Sequence, residues 1–119
     1  MERAIPHLRI LDYSQAISFY IDTLGFEIAF EWRNGPESPV YLGIRRGDML
    51  VHLSEYEASG PSGGGRGMTL SVFDVDNWNN RLKEAGVMFD RELQTQAWGS
   101  RDFIVRDPFE NTIVVTSIR

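Results

Sequence analysis

Two histidines, His7 and His52, are the side chains of this chain whose ordinary pKa lies near neutrality, and there is no cysteine. An imidazole can donate or accept a hydrogen bond, serve as a general base or ligate a metal. The missing cysteine removes thiol nucleophiles, zinc–thiolate sites and disulfide frameworks. His52 stands between Leu50 and Ser54 at one strand parity, and His7 shares parity with Ile5 and Arg9. Arg9 carries a planar fork that can hold a carboxylate or phosphate bidentately. Its plainer alternative is an ion pair with Asp12 or a neighbouring glutamate. His7 and His52 on two strands, with a carboxylate such as Glu55, would make a sparse metal site; otherwise His7 is an ordinary strand histidine. Trp98-Gly99 follows the stretch Gln94, Thr95, Gln96, Ala97. An indole there can act as a stacking platform or cap the end of a barrel. Trp32 reads as core or interface, and Trp78 as a helix's core contact.

The elements that must position these groups follow from periodicity and punctuation. Residues 4–11 read as a strand entered through Pro6. Asp12 and Ser14 offer N-cap oxygens, and Ile17, Tyr20, Ile21 and Leu24 recur at helical spacing, predicting a helix over 14–24 that Gly25 ends. Residues 26–32 alternate, with Phe26, Ile28, Phe30 and Trp32 expected on one face of a half-buried strand. Strands follow at 40–46 and 49–53 around the Gly47-Asp48 turn. The order then recurs: strand 68–73, a helix over 76–85 with Trp78, Leu82 and Ala85 on its apolar side, Gly86, and short strands near 87–89, 93–96, 101–106 and 112–118. In the last pair, Asp107-Pro108 opens a turn that Glu110-Asn111 closes, with Asn expected to take a positive φ. Each half is therefore β-α-β-β-β. The repeats are expected at about 3–55 and 67–119, with a Gly-rich connector at about 56–66, as a single domain over 1–119. The connector faintly echoes a phosphate loop, but such a loop must lead into a helix, and here a strand follows.

The bulk numbers agree with a soluble domain. Hydrophobic residues make up 42 %, enough for a core, and a formal net charge of −5 argues against nucleic acid and anionic membranes as partners. It leaves room for a cationic guest. No secretory leader or membrane-length apolar run is visible, so the cytoplasm is the expected location.

The Asp107-Pro108…Glu110-Asn111 ending, Leu24-Gly25-Phe26 after the first helix and the order of elements together resemble the vicinal oxygen chelate superfamily. That superfamily includes glyoxalase I, extradiol dioxygenases and bleomycin-resistance proteins. The resemblance implies an α+β fold in which two βαβββ repeats form an incomplete barrel around a concave ligand cavity, with helices on the convex side. It also implies four metal-ligand columns, which fall here on Ile5, His52, Gly67 and Val114. Only His52 can coordinate, and one imidazole does not make a tight divalent site. No metal or other cofactor is therefore expected. In the glyoxalase I branch an Arg at the position of Arg9 meets an anionic substrate, and bleomycin-resistance proteins carry a Trp-Gly pair near the position of Trp98-Gly99. Arg9, His52 and Trp98 are expected to point into one cavity, with Phe103 added from a register counted back from Asp107.

The function this implies is a metal-free small-molecule binder, resembling bleomycin-resistance proteins, that sequesters an aromatic or cationic compound such as an antibiotic. The resemblance also implies a homodimer. The alternative is a glyoxalase-like lyase or isomerase, or a dioxygenase-related enzyme, working with a divalent metal. Without a metal, the electrostatic contribution that usually dominates such chemistry is missing, which makes His52 a binding group before a base.

Overall fold

The computed structural model describes residues 2–56 and 66–117, so most of the expected Gly-rich connector lies outside the described residues. The first half contains β1 (His7–Arg9), the helix α1 (Tyr13–Ala16) continued by wider π-type turns over Ile17–Thr23, and strands β2 (Glu27–Arg33), β3 (Val40–Arg46) and β4 (Met49–Ser54). The second contains β5 (Gly67–Val72), α2 (Val75–Glu84), β6 (Phe89–Thr95), β7 (Arg101–Arg106) and β8 (Thr112–Ser117). Two open four-stranded sheets result, ordered β1-β4-β3-β2 and β5-β8-β7-β6. In each, the first and last strands of the repeat run parallel and the other pairs antiparallel. The fold is the expected α+β pair of similar halves.

Local chemistry explains the boundaries. Asp12 and Asp74 cap the two helices, accepting from the backbone of Gln15 at 2.8 Å and Asn77 at 3.2 Å. Gly25 and Gly86 end them at φ 83° and 77°, in the left-handed region that a Cβ disfavours. The first helix widens because its bonds reach five residues back, from Leu24 N–H to the Phe19 carbonyl at 2.9 Å and from the Thr23 hydroxyl to the Ser18 carbonyl at 3.1 Å.

Cross-strand partners share a face, so register sorts the side chains. On the helix side, Leu8, Leu53 and Leu42 form one row across the first sheet, and Met68, Ile113 and Val105 one across the second; all are buried. Tyr20, Leu82 and Trp78 join this core and Ile17 packs against it. No helix among the described residues covers the opposite faces.

Three expectations are corrected. The strands expected at 87–89 and 93–96 are one strand, β6, whose register slips on both sides of Arg91. The positive φ in the final turn falls on Glu110, at 65°, and not on Asn111. Phe26, Ile28, Phe30 and Trp32 do not share one buried face. A bulge between Ile28 and Phe30 puts Ile28 beside Ile44, on the helix side, and Phe30 beside Gly43, on the open side.

A buried polar network ties the halves together. The Tyr20 hydroxyl donates to Asp107 Oδ2 at 2.6 Å, and Asn111 Nδ2 donates both to that oxygen at 2.8 Å and to the Arg9 carbonyl at 2.8 Å. Asp107 Oδ1 accepts from the backbone of Phe109 at 2.9 Å and Asn111 at 2.8 Å. Burial first, then the Asp107 charge, pushes the Tyr20 phenol well above its usual pKa.

Candidate functional site

The open face of the first sheet is built from two rows. His7, His52, Gly43 and Phe30 lie side by side across β1, β4, β3 and β2; Arg9, Ser54, Tyr41 and Trp32 form the next row. Gly43 organises the first. A Cβ there would stand 2.1 Å from Phe30 Cε2, so only the missing side chain lets the Phe30 ring lie across β3. Phe30 thereby meets His52 edge-on at 5.3 Å between ring centres and stacks with Tyr41 at 6.2 Å. Tyr41 also lies 5.5 Å from His7 and 5.3 Å from His52, and its hydroxyl is 2.9 Å from His52 Nδ1. Trp32 stacks on Tyr56 at 6.5 Å. Phe30 and Trp32 nevertheless remain 42 % and 54 % exposed, a large apolar surface for a strand face.

Both histidines are held below the ordinary imidazole pKa. For His52 the cause is burial; for His7 it is burial, then the charges of Arg66 and His52. The neutral form of each is thereby favoured, and among the described residues His7 Nε2 is a buried nitrogen without a hydrogen-bond partner. The face offers aromatic rings beside imidazoles held toward their neutral form.

Arg9 is buried in the second row, its Nε 3.3 Å from the Ile10 carbonyl, and it lines a cavity of about 280 Å³ with Glu37 and Glu55. His52 and Arg9 lie in neighbouring rows of this face of the first sheet. Trp98 stands in the turn after β6, 67 % exposed, and among the described residues it makes no ring contact. Phe103 is a correction. It is fully buried beside Val115 on the helix side and stacks on Phe89 at 5.1 Å. Its register was one residue out, and Asp102 and Ile104 hold the open side of β7.

The open face of the second sheet is more polar than that of the first. Thr69, Val114, Ile104 and Arg91 form one row, and Ser71, Thr116, Asp102 and Gln94 the next. Asp102 gathers Arg91, Gln96 at 2.9 Å and Ser100 at 2.9 Å. Burial works to raise its pKa, but these hydrogen bonds outweigh it and hold the carboxyl below the usual range.

Sequence reasoning missed Phe30, Tyr41, Gly43 and Tyr56. Gly43 breaking an otherwise β-branched and aromatic strand was the available signal, since such a glycine marks close approach by another group. The four columns that the resemblance implies carry Ile5, Gly67 and Val114 beside His52, and no three His, Asp or Glu side chains cluster among the described residues. That donor set does not fit a divalent ion of the superfamily's kind.

Residues 4–115 match the family described as the Glyoxalase/Bleomycin resistance protein/Dioxygenase superfamily. An uncharacterized protein of Mycobacterium bovis is 29 % identical over 117 residues, covering 87 % of this chain and 75 % of that protein. The bleomycin resistance protein of Geobacillus stearothermophilus is 25 % identical over 130 residues, covering 95 % and 94 %. The crystal structure of the bleomycin-binding protein of Streptomyces verticillus, complexed with copper(II)-bleomycin, superposes with a TM-score of 0.75 at 28 % identity, covering 100 % of this chain and 98 % of that one. The chain belongs to the glyoxalase/bleomycin resistance protein/dioxygenase superfamily.

Proposed function

We propose that this protein binds a small molecule in the manner of the bleomycin-resistance branch, taking a planar aromatic or cationic compound onto the open face of its first sheet. The carrying observation is the Phe30 ring laid over Gly43 against His52, with Tyr41 and Trp32 beside it. The names of the Geobacillus and Streptomyces relatives support the same reading. So does the chain's acidity, which favours a cationic guest. In this reading His52 and Arg9 are the polar groups of the site, and the protein acts as a homodimer. The second copy supplies Trp98, which in its own chain touches no ring of the first sheet. The histidines bind without turning over the ligand, because the donor set supplies no metal to stabilise an oxyanion.

Calorimetric titration with bleomycin tests this. Phe30→Ala is expected to weaken binding about fivefold, the loss of one stacking contact of about 1 kcal/mol. Affinity that is unchanged in Phe30→Ala would remove this face from the site.

A further inference from the structure

Among the described residues, six basic side chains of this acidic protein, Arg33, Arg45, Lys83, Arg91, Arg101 and Arg106, each reach a carboxylate. Arg46 and Arg81 are among those that do not. Among the described residues, neither guanidinium has an ion pair or a hydrogen bond. Both lie instead against Trp78, with Arg46 Cζ 4.5 Å and Arg81 Cζ 4.8 Å from the centre of its ring.

Two elements build this arrangement. Arg46 ends β3 at the parity of the buried Leu42 and Ile44, so it stands on the helix side of the first sheet. Arg81 follows Trp78 by three positions on α2, which places the two on one helix face. Trp78 is itself buried in the core, so the support for both cations is rigid. Each charge centre rests against the same ring, and the charge of Arg81 acts on Arg46. Burial, then the charge of Arg81, holds Arg46 below the ordinary arginine value, and no carboxylate counters that effect. Like charges that lack a carboxylate partner among the described residues repel, and contact with an indole does not neutralise them.

We propose that Arg46 and Arg81 form a binding site for a phosphate group, with Trp78 as its support. Guanidinium forks match phosphate oxygens, and two forks from separate elements can take different oxygens of one group. The site lies on the helix side, away from the open face, so it stands or falls independently of the ligand proposed above.

The test is a titration of the whole protein with inorganic phosphate and, separately, with a nucleoside monophosphate, at constant ionic strength. The Trp78 indole N–H and the Nε–H signals of Arg46 and Arg81 are followed by NMR. Saturable shifts at all three groups are expected, with none from chloride at matched ionic strength. Arg46→Gln and Arg81→Gln should each weaken binding by about tenfold or more, whereas Arg45→Gln, whose partner is Glu27, should bind as the parent does. Arg46→Lys and Arg81→Lys retain a cation over the indole and guard against misfolding; they too should bind less tightly, because the fork is lost. Equal affinity for the two probes would identify free phosphate as the ligand, and tighter binding of the monoester a phosphorylated small molecule; both support the site. Absence of saturable shifts in the parent, or shifts undiminished in the Arg46 and Arg81 variants, would overturn it.

Discussion

At the scale of single residues, the candidate site depends on one absent side chain and two imidazoles held toward their neutral form. Gly43 leaves the space that Phe30 fills, and Phe30 in turn shields His52. Because burial lowers the pKa of both histidines, the folded protein binds protons at these sites less readily than the unfolded chain does. Their contribution to stability is complete above the ordinary histidine pKa of about 6.5 and is lost as the pH falls from there through the lowered folded values. Urea midpoints measured between pH 7.5 and pH 5 should therefore fall toward acid, and His7→Gln with His52→Gln should flatten that slope. An equal slope in the double variant would mean that the imidazoles are not the groups responsible. Arg9 shows the limit of parity at this scale: its burial beside Glu37 and Glu55 came only with the packing.

At the scale of elements, the turn between β7 and β8 does more than reverse the chain. Asp107 receives Tyr20 from the other half, and Asn111 passes a bond on to the Arg9 carbonyl. Tyr20→Phe removes a hydrogen bond to a buried carboxylate and is expected to cost about 2 kcal/mol. Thermal unfolding of that variant should fall by several degrees; an unchanged midpoint would deny the network its role as the tie between the repeats. Helix spacing, N-cap oxygens and Gly25 with Gly86 made the element order legible in the sequence, because those signals act within a few residues. The bulge in β2 and the slips in β6 were not legible, since they depend on partners across the sheet. That one bulge moved Phe30 and Trp32 from an expected core face to the open one. A one-residue slip in the assumed register of β7 placed Phe103 in the cavity when it belongs to the core. The signals behind Tyr41 and Tyr56 were likewise nonlocal.

At the scale of the whole molecule, two similar halves present open faces of different character, one aromatic and one more polar around Asp102. A homodimer could set such faces against each other and bring Trp98 of one copy to the rings of another. Sedimentation of the purified protein should then show twice the chain mass, and a monomer at micromolar concentration would contradict that part of the proposal. The central claim, that the ring seated over Gly43 is the ligand surface, is tested most directly by calorimetric titration of bleomycin into the parent protein and into Gly43→Ala. The added methyl would stand 2.1 Å from the Phe30 ring, so the ring must leave its seat. Saturable binding by the parent, weakened about tenfold or more in a folded Gly43→Ala protein, is the predicted result. No saturable binding by the parent, or equal binding by both proteins, would contradict it.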